Sequence, residues 1–204
     1  MTLAFTVVAI LFAVVTMPGC NKSRKIPKDF DYGSWTGSTY RNDFFGFSIT
    51  VPEDWHIAGK EEMKALLEDA EADASTAGLF YTARYSADDF MKNENEDFNP
   101  NIVLIVENLS LPGRKIDTTK YVSLYRKNLS PAMPGHAIQS ETNKTIGGQE
   151  FTSLQSQSNF EGIHISQEHL ICVKNNYAVI FVLTTLDDSE KPQLDDIMAT
   201  LKWD

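Results

Sequence analysis

The chain has 204 residues, enough for one ordinary domain with extensions. An apolar share of 42% and a charged share of 23% are those of a globular protein and exclude a disordered one. The net charge of −10 argues against nucleic-acid partners and against electrostatic docking on anionic lipid, because both need clustered Lys and Arg.

Residues 3–15, LAFTVVAILFAVV, are almost wholly apolar. The run is shorter than the roughly 20 residues of a membrane-spanning helix and fits the apolar core of a secretory signal. Met17-Pro18-Gly19-Cys20 follows. This stretch resembles the lipobox of bacterial lipoproteins, with small Gly19 directly before the cysteine and Met17 where Leu is usual. The resemblance implies a lipoprotein signal peptide over residues 1–19, cleavage before Cys20, and lipidation of Cys20 by palmitate-type chains. Two or three acyl chains give stable anchoring where one does not. The residues also leave open an uncleaved apolar anchor or an ordinary secretory signal. On the lipoprotein reading, the chain is held on a membrane through Cys20 and faces the periplasm or the exterior of a bacterial cell envelope.

Residues 20–38 read as a polar tether, and residues 39–204 as the folded domain. Phe45, Phe47 and Ile49 alternate with Gly46, Ser48 and Thr50, as in a half-buried strand. Pro52 ends that strand, and Trp55 follows as a packed aromatic of the next one. Residues 59–75 carry Met63, Leu66, Leu67 and Ala70 at helical spacing. Residues 79–85 read as a strand, and residues 86–100 as an acidic loop. A calcium reading of that loop fails, since Phe98 stands where the EF-hand needs Gly and Leu104 where it needs Glu. Residues 101–109 form a buried strand. Residues 117–130 form a helix capped by Asp117 or Thr118, with a stripe of Tyr121, Leu124, Tyr125 and Leu129, ended by Pro131 and Pro134. Residues 142–158 read as two strands around Gly147-Gly148. A closing helix over residues 190–201 has Pro192 in its first turn and turns Leu194, Ile197, Met198 and Leu201 to the sheet.

Residues 163–186 form the centre of the domain. Asn175-Asn176 sits between two apolar runs, and Asn tolerates the positive φ of a primed two-residue turn. That turn pairs Lys174 with Tyr177, Cys172 with Val179 and Leu170 with Phe181. One face then carries His169, Ile171, Val173, Ala178, Ile180 and Val182. The other carries Leu170, Cys172, Tyr177, Val179, Phe181 and Leu183. Both faces are apolar near the turn, which predicts an α+β fold whose antiparallel β-sheet is covered by helices on both faces.

Three stretches carry a family likeness. Residues 40–57, YRNDFFGFSITVPEDWHI, the step Ile146-Gly147-Gly148-Gln149-Glu150-Phe151, and the end Leu201-Lys202-Trp203 together resemble PsbP-like domains. The resemblance spans residues 40–203 and implies an α-β-α sandwich. That family serves in assembly, binding and accessory roles and offers no shared catalytic residues to place on this chain.

Candidate chemistry is sparse. His164 and His169 share a strand, but an odd offset puts them on opposite faces. His164 and Cys172 share a face but stand roughly 26 Å apart along the strand, so neither pair can share a metal. His56 and His136 have no partner placed by a motif. Cys172 reads as a buried small hydrophobe. No nucleophile elbow, P-loop, zincin or dinucleotide motif occurs. The sequence therefore predicts no catalytic, metal or cofactor site, and a non-catalytic binding or assembly-accessory module with an unknown envelope protein as partner. The projecting loops at residues 86–100 and around His136 are its candidate contacts. The alternative is a small-molecule or metal-binding envelope lipoprotein; an envelope hydrolase is a third reading.

Overall fold

The computed structural model describes residues 31, 33–57, 80–83, 100–109, 115–132, 136–160, 163–186 and 188–204. Cys20, the apolar N-terminal run, the expected helix over residues 59–75 and nearly all of the loop over residues 86–100 lie outside them. In chain order the strands are β1 (Ser34–Thr36), β2 (Thr39–Asn42), β3 (Phe47–Thr50), β4 (His56–Ile57), β5 (Phe80–Ala83), β6 (Asn101–Asn108), β7 (Ala137–Ile146), β8 (Gln149–Phe160), β9 (Ile163–Lys174), β10 (Tyr177–Thr185) and β11 (Lys202–Trp203). Helix α1 (Thr118–Ala132) lies between β6 and β7, and α2 (Lys191–Ala199) follows β10.

The β9–β10 hairpin is the middle of a seven-stranded antiparallel sheet of order β4-β5-β6-β10-β9-β8-β7. Asn175 and Asn176 have φ of 52° and 64°, the left-handed pair that a type I′ turn needs. Lys174 pairs with Tyr177, Cys172 with Val179 and Leu170 with Phe181, so the expected register is the observed one. The same chemistry closes β7–β8, where Gly147 and Gly148 have φ of 58° and 87°. Every residue of β10 is buried, as expected for a strand covered on both faces.

The two faces are covered differently. One face presents His169, Ile171, Ala178, Ile180 and Val182, and α1 packs over β8 and β9 with Tyr121, Val122, Tyr125 and Leu129 buried. Val122 takes the core position expected of Leu124, which is only half-buried. Asp117 caps the helix by accepting from the Lys120 backbone N–H at 2.8 Å. The helix runs one residue past Pro131 rather than ending before it.

On the opposite face a helix is only part of the cover. A four-stranded sheet of order β1-β2-β3-β11 lies there, and α2 shares its core. Tyr40, Phe47 and Ile49 from the small sheet join Leu170, Cys172, Val179 and Phe181 from the large one, with Leu194, Ile197 and Met198 from α2. Alternating side chains from two facing sheets supply the apolar cover. The strands of this sheet are two to four residues long, so their periodicity is faint.

Two boundaries shift with it. Ser34–Thr36, read as part of the tether, already pair with β2. The closing helix, expected to reach Leu201, ends at Ala199, and Lys202–Trp203 form β11 against β3. The Trp203 ring packs 4.9 Å from Phe47 and 6.0 Å from Phe151, with Lys174 Nζ 4.5 Å from its centroid.

Candidate functional site

Three consecutive polar residues of β9, Gln167-Glu168-His169, are buried where both faces of the strand are covered. Alternation sends Glu168 to the face shared with α2, and Gln167 and His169 to the face under α1. Each face carries a polar cluster.

Glu168 is only 5% exposed. Its Oε1 accepts from Ser153 Oγ of β8 at 2.6 Å and is ion-paired with Lys144 of β7. Its Oε2 accepts from Lys191 Nζ at 3.2 Å, at the start of α2. Lys191 also reaches both Asp195 oxygens at 2.8 Å. Burial pushes the Glu168 carboxyl up, but the hydrogen bonds from Lys144 and Ser153 and the two lysine charges together hold it below the usual carboxylate range. Glu168 is thus ionised at neutral pH and fully compensated.

A half-open cavity of about 120 Å³ lies beside it, between the start of α2 and the middle strands of the large sheet. Leu183 and Leu194 give it an apolar floor, while Gln155, Ser166 and Thr185 line its sides. Gln139, Gln157 and Asp188 stand at the exposed rim.

On the other face His169 is 2% exposed. Its Nδ1 lies 2.9 Å from the Tyr125 hydroxyl of α1, and its Nε2 lies 3.2 Å from Ser156 Oγ of β8. The His136 ring stands 6.5 Å away. Burial, and then the His136 charge, lower the His169 pKa to about 3 against a small opposing pull from Glu168. The imidazole is neutral at pH 7, with one nitrogen donating and the other accepting. Tyr121 extends the cluster by donating to Glu107 at 2.6 Å. A serine and a histidine meet here, but both are sealed, and a phenol stands where a hydrolase triad has its carboxylate.

His164 and His169 lie on opposite faces as expected, with His164 exposed, while His136, for which no motif placed a partner, is a neighbour of His169. Cys172 is fully buried, and burial pushes its thiol up to about 12, which leaves it unreactive. Among the described residues no group of three or more His, Cys, Asp or Glu is placed to hold a metal ion. Sequence reading missed the Glu168 cavity, whose residues come from five elements. The signal that could have found it is the polar run 166–169 directly before the apolar Leu170-Ile171-Cys172-Val173.

No protein-family model and no curated protein matches the sequence. Among solved structures, a cyanobacterial PsbP from Synechocystis superposes with a TM-score of 0.54 at 11% identity, over 89% of this chain and 98% of that one. The fold is PsbP-like. LpqN of Mycobacterium tuberculosis, described as involved in cell envelope biogenesis, gives a TM-score of 0.46 at 16% identity over 76% of this chain and 82% of its own. A Pseudomonas aeruginosa protein of unknown function gives 0.43 at 18% identity over 53% and 76%. A PsbP-like sheet between α1 and the small sheet accounts for where Glu168 and His169 come to lie, and identities this low carry the fold alone.

Proposed function

We propose that this chain is a lipid-anchored, envelope-facing PsbP-like module that binds rather than catalyses. The observation that supports this is the order of its parts. An apolar run over residues 3–15 and Gly19-Cys20 precede a polar stretch that leads to β1 at Ser34. Acyl chains on Cys20 would hold the domain near a membrane and raise its effective concentration there. No helix among the described residues is long and apolar enough to cross a membrane, so such an anchor would have to come from elsewhere in the chain. A partner protein of the envelope would meet the stretches at residues 86–100 and around His136 that the sequence reading marks as candidate contacts.

The cavity beside Glu168 favours a second reading, in which the bound species is a small polar molecule. It is concave, has an apolar floor and converging polar groups, and sits between a helix and a sheet, as ligand sites commonly do.

The anchor is tested by intact mass and detergent partitioning of the native chain beside Cys20→Ser. The expected result is a mature N-terminus at Cys20 with added acyl mass, lost in the substituted chain. An unmodified chain in the aqueous phase would overturn the tether.

A further inference from the structure

The charges around the cavity are spent on one another. Glu168 takes Lys144, Lys191 and Ser153, and Lys191 is shared with Asp195. What faces a ligand is therefore amide and hydroxyl. Gln155 uses its carbonyl oxygen to accept from Ser140 at 3.3 Å, which leaves its NH₂ as a donor. Ser166 and Thr185 stand along the same wall and Gln157 at its rim, and none of the three takes part in fixing Glu168. The floor is the side chains of Leu183 and Leu194, buried in the core.

We propose that this cavity binds a saccharide, a neutral ring carrying several hydroxyls. A primary amide offers two donors and an acceptor with two lone pairs, and a hydroxyl does both jobs, so the wall matches vicinal OH groups that must donate and accept at once. The apolar floor fits the C–H face of such a ring. A water occupies roughly 10–15 Å³ on the same measure, so a cavity of about 120 Å³ has room for a ring. Charged ligands are disfavoured. An anion finds both lysines already paired with Glu168 and meets the carboxylate of Asp188 at the rim, and a cation must compete with those lysines for Glu168. The inference deepens the binding-module reading by naming its ligand class, and it does not depend on Cys20 being acylated.

The test is saturation-transfer NMR on the full chain, held in micelles whose detergent has no sugar headgroup. Glucose stands for a free sugar, chitotetraose for a glycan chain, and inorganic phosphate for an anion. The expected result is saturable transfer to at least one of the two saccharides and none to phosphate. Transfer to chitotetraose alone would identify a glycan chain as the source. The variant Ser166→Val should weaken binding about tenfold, the size of one or two lost hydrogen bonds, with an unchanged melting temperature. Gln157→Leu and Gln139→Leu at the exposed rim are the milder variants and should weaken it less. Absence of transfer to both saccharides, transfer that all three variants retain, or a response to phosphate in their place would overturn the proposal. A chain that binds saccharide yet carries no acyl mass would refute the tether and leave the cavity assignment standing.

Discussion

Glu168 and His169 are consecutive residues of β9 that anchor polar clusters on opposite faces of one sheet. A sheet buried on both sides gives neither side chain access to bulk water, so each must be satisfied by neighbours. Glu168 is satisfied as an anion by two lysines and a serine. His169 is satisfied as a neutral ring by two hydroxyls. The pair therefore titrates in separate windows, and stability against pH can tell the two clusters apart.

For His169 the folded pKa is about 3 against an ordinary 6.5. The unfolded chain binds this proton first as the pH falls, so stability is intact above 6.5 and is lost progressively down to about 3. The slope from this one group approaches about 1.4 kcal/mol per pH unit. His136, lowered by its own burial, begins its loss at the same upper edge. Urea midpoints across that window should fall steeply for the native chain and less steeply for His169→Gln. An unchanged slope in the variant would mean that His169 is not held neutral by this cluster.

For Glu168 the folded pKa lies below the ordinary 4.5. Its contribution is present above 4.5 and disappears as the pH falls further through the folded value. Glu168→Gln removes it at every pH. The two lysines are partly solvated, at 35% and 38% side-chain exposure, so the loss at neutral pH is modest, roughly 1–2 kcal/mol. Denaturant unfolding should show that loss at neutral pH and a smaller difference between native and variant chains well below 4.5. A gap that stays constant on acidification would assign the effect to packing instead of charge.

The hairpin was legible because two independent signals agreed. Asn175-Asn176 supplied the turn, and alternation in apolar runs supplied the faces. Of the small sheet only β3 was legible, where buried Phe47 and Ile49 alternate with Ser48 and Thr50 as expected. Lys202-Trp203 carry no periodicity of their own and follow a helical pattern that ends at Leu201, while Ser34–Thr36 form a three-residue edge strand in which only Trp35 packs inward. The cavity was hidden for a different reason. Lys144, Ser153, Glu168 and Lys191 are dispersed over nearly fifty positions and converge only through sheet register. The proposed membrane anchor stands at the opposite extreme, since Cys20 rests on sequence alone.

Gly147 and Gly148 share one turn and should respond differently to alanine. Both have positive φ, which strains any Cβ-bearing residue by about 1 kcal/mol. A Cβ on Gly148 meets open space, whereas one on Gly147 would lie 2.2 Å from the Leu201 carbonyl oxygen. Trp203 N–H also donates to the Gly147 carbonyl at 3.3 Å, so the turn and the start of β11 are locked together. Gly148→Ala should lower stability by about 1 kcal/mol, and Gly147→Ala by roughly 3 kcal/mol or more, with a loss of Trp203 fluorescence anisotropy as β11 is displaced. Equal effects at the two positions would show that the C-terminal segment does not rest on this turn.

Phe181 tests the joint between the two sheets. It is buried in β10, with its ring 5.8 Å from Phe47 of the small sheet and 6.2 Å from Phe151 of β8. Both contacts are edge-to-face, the arrangement that adds to simple area burial. Phe181→Ala leaves a cavity in the shared core and should destabilise by roughly 3–5 kcal/mol, against about 1 kcal/mol for the nearly volume-conserving Phe181→Leu. Because Phe47 belongs to the small sheet, amide exchange in β2 and β3 should quicken in Phe181→Ala well before exchange in β8 and β9. Uniform quickening across both sheets would mean that they unfold as one unit, with the aromatic contact contributing only to global stability.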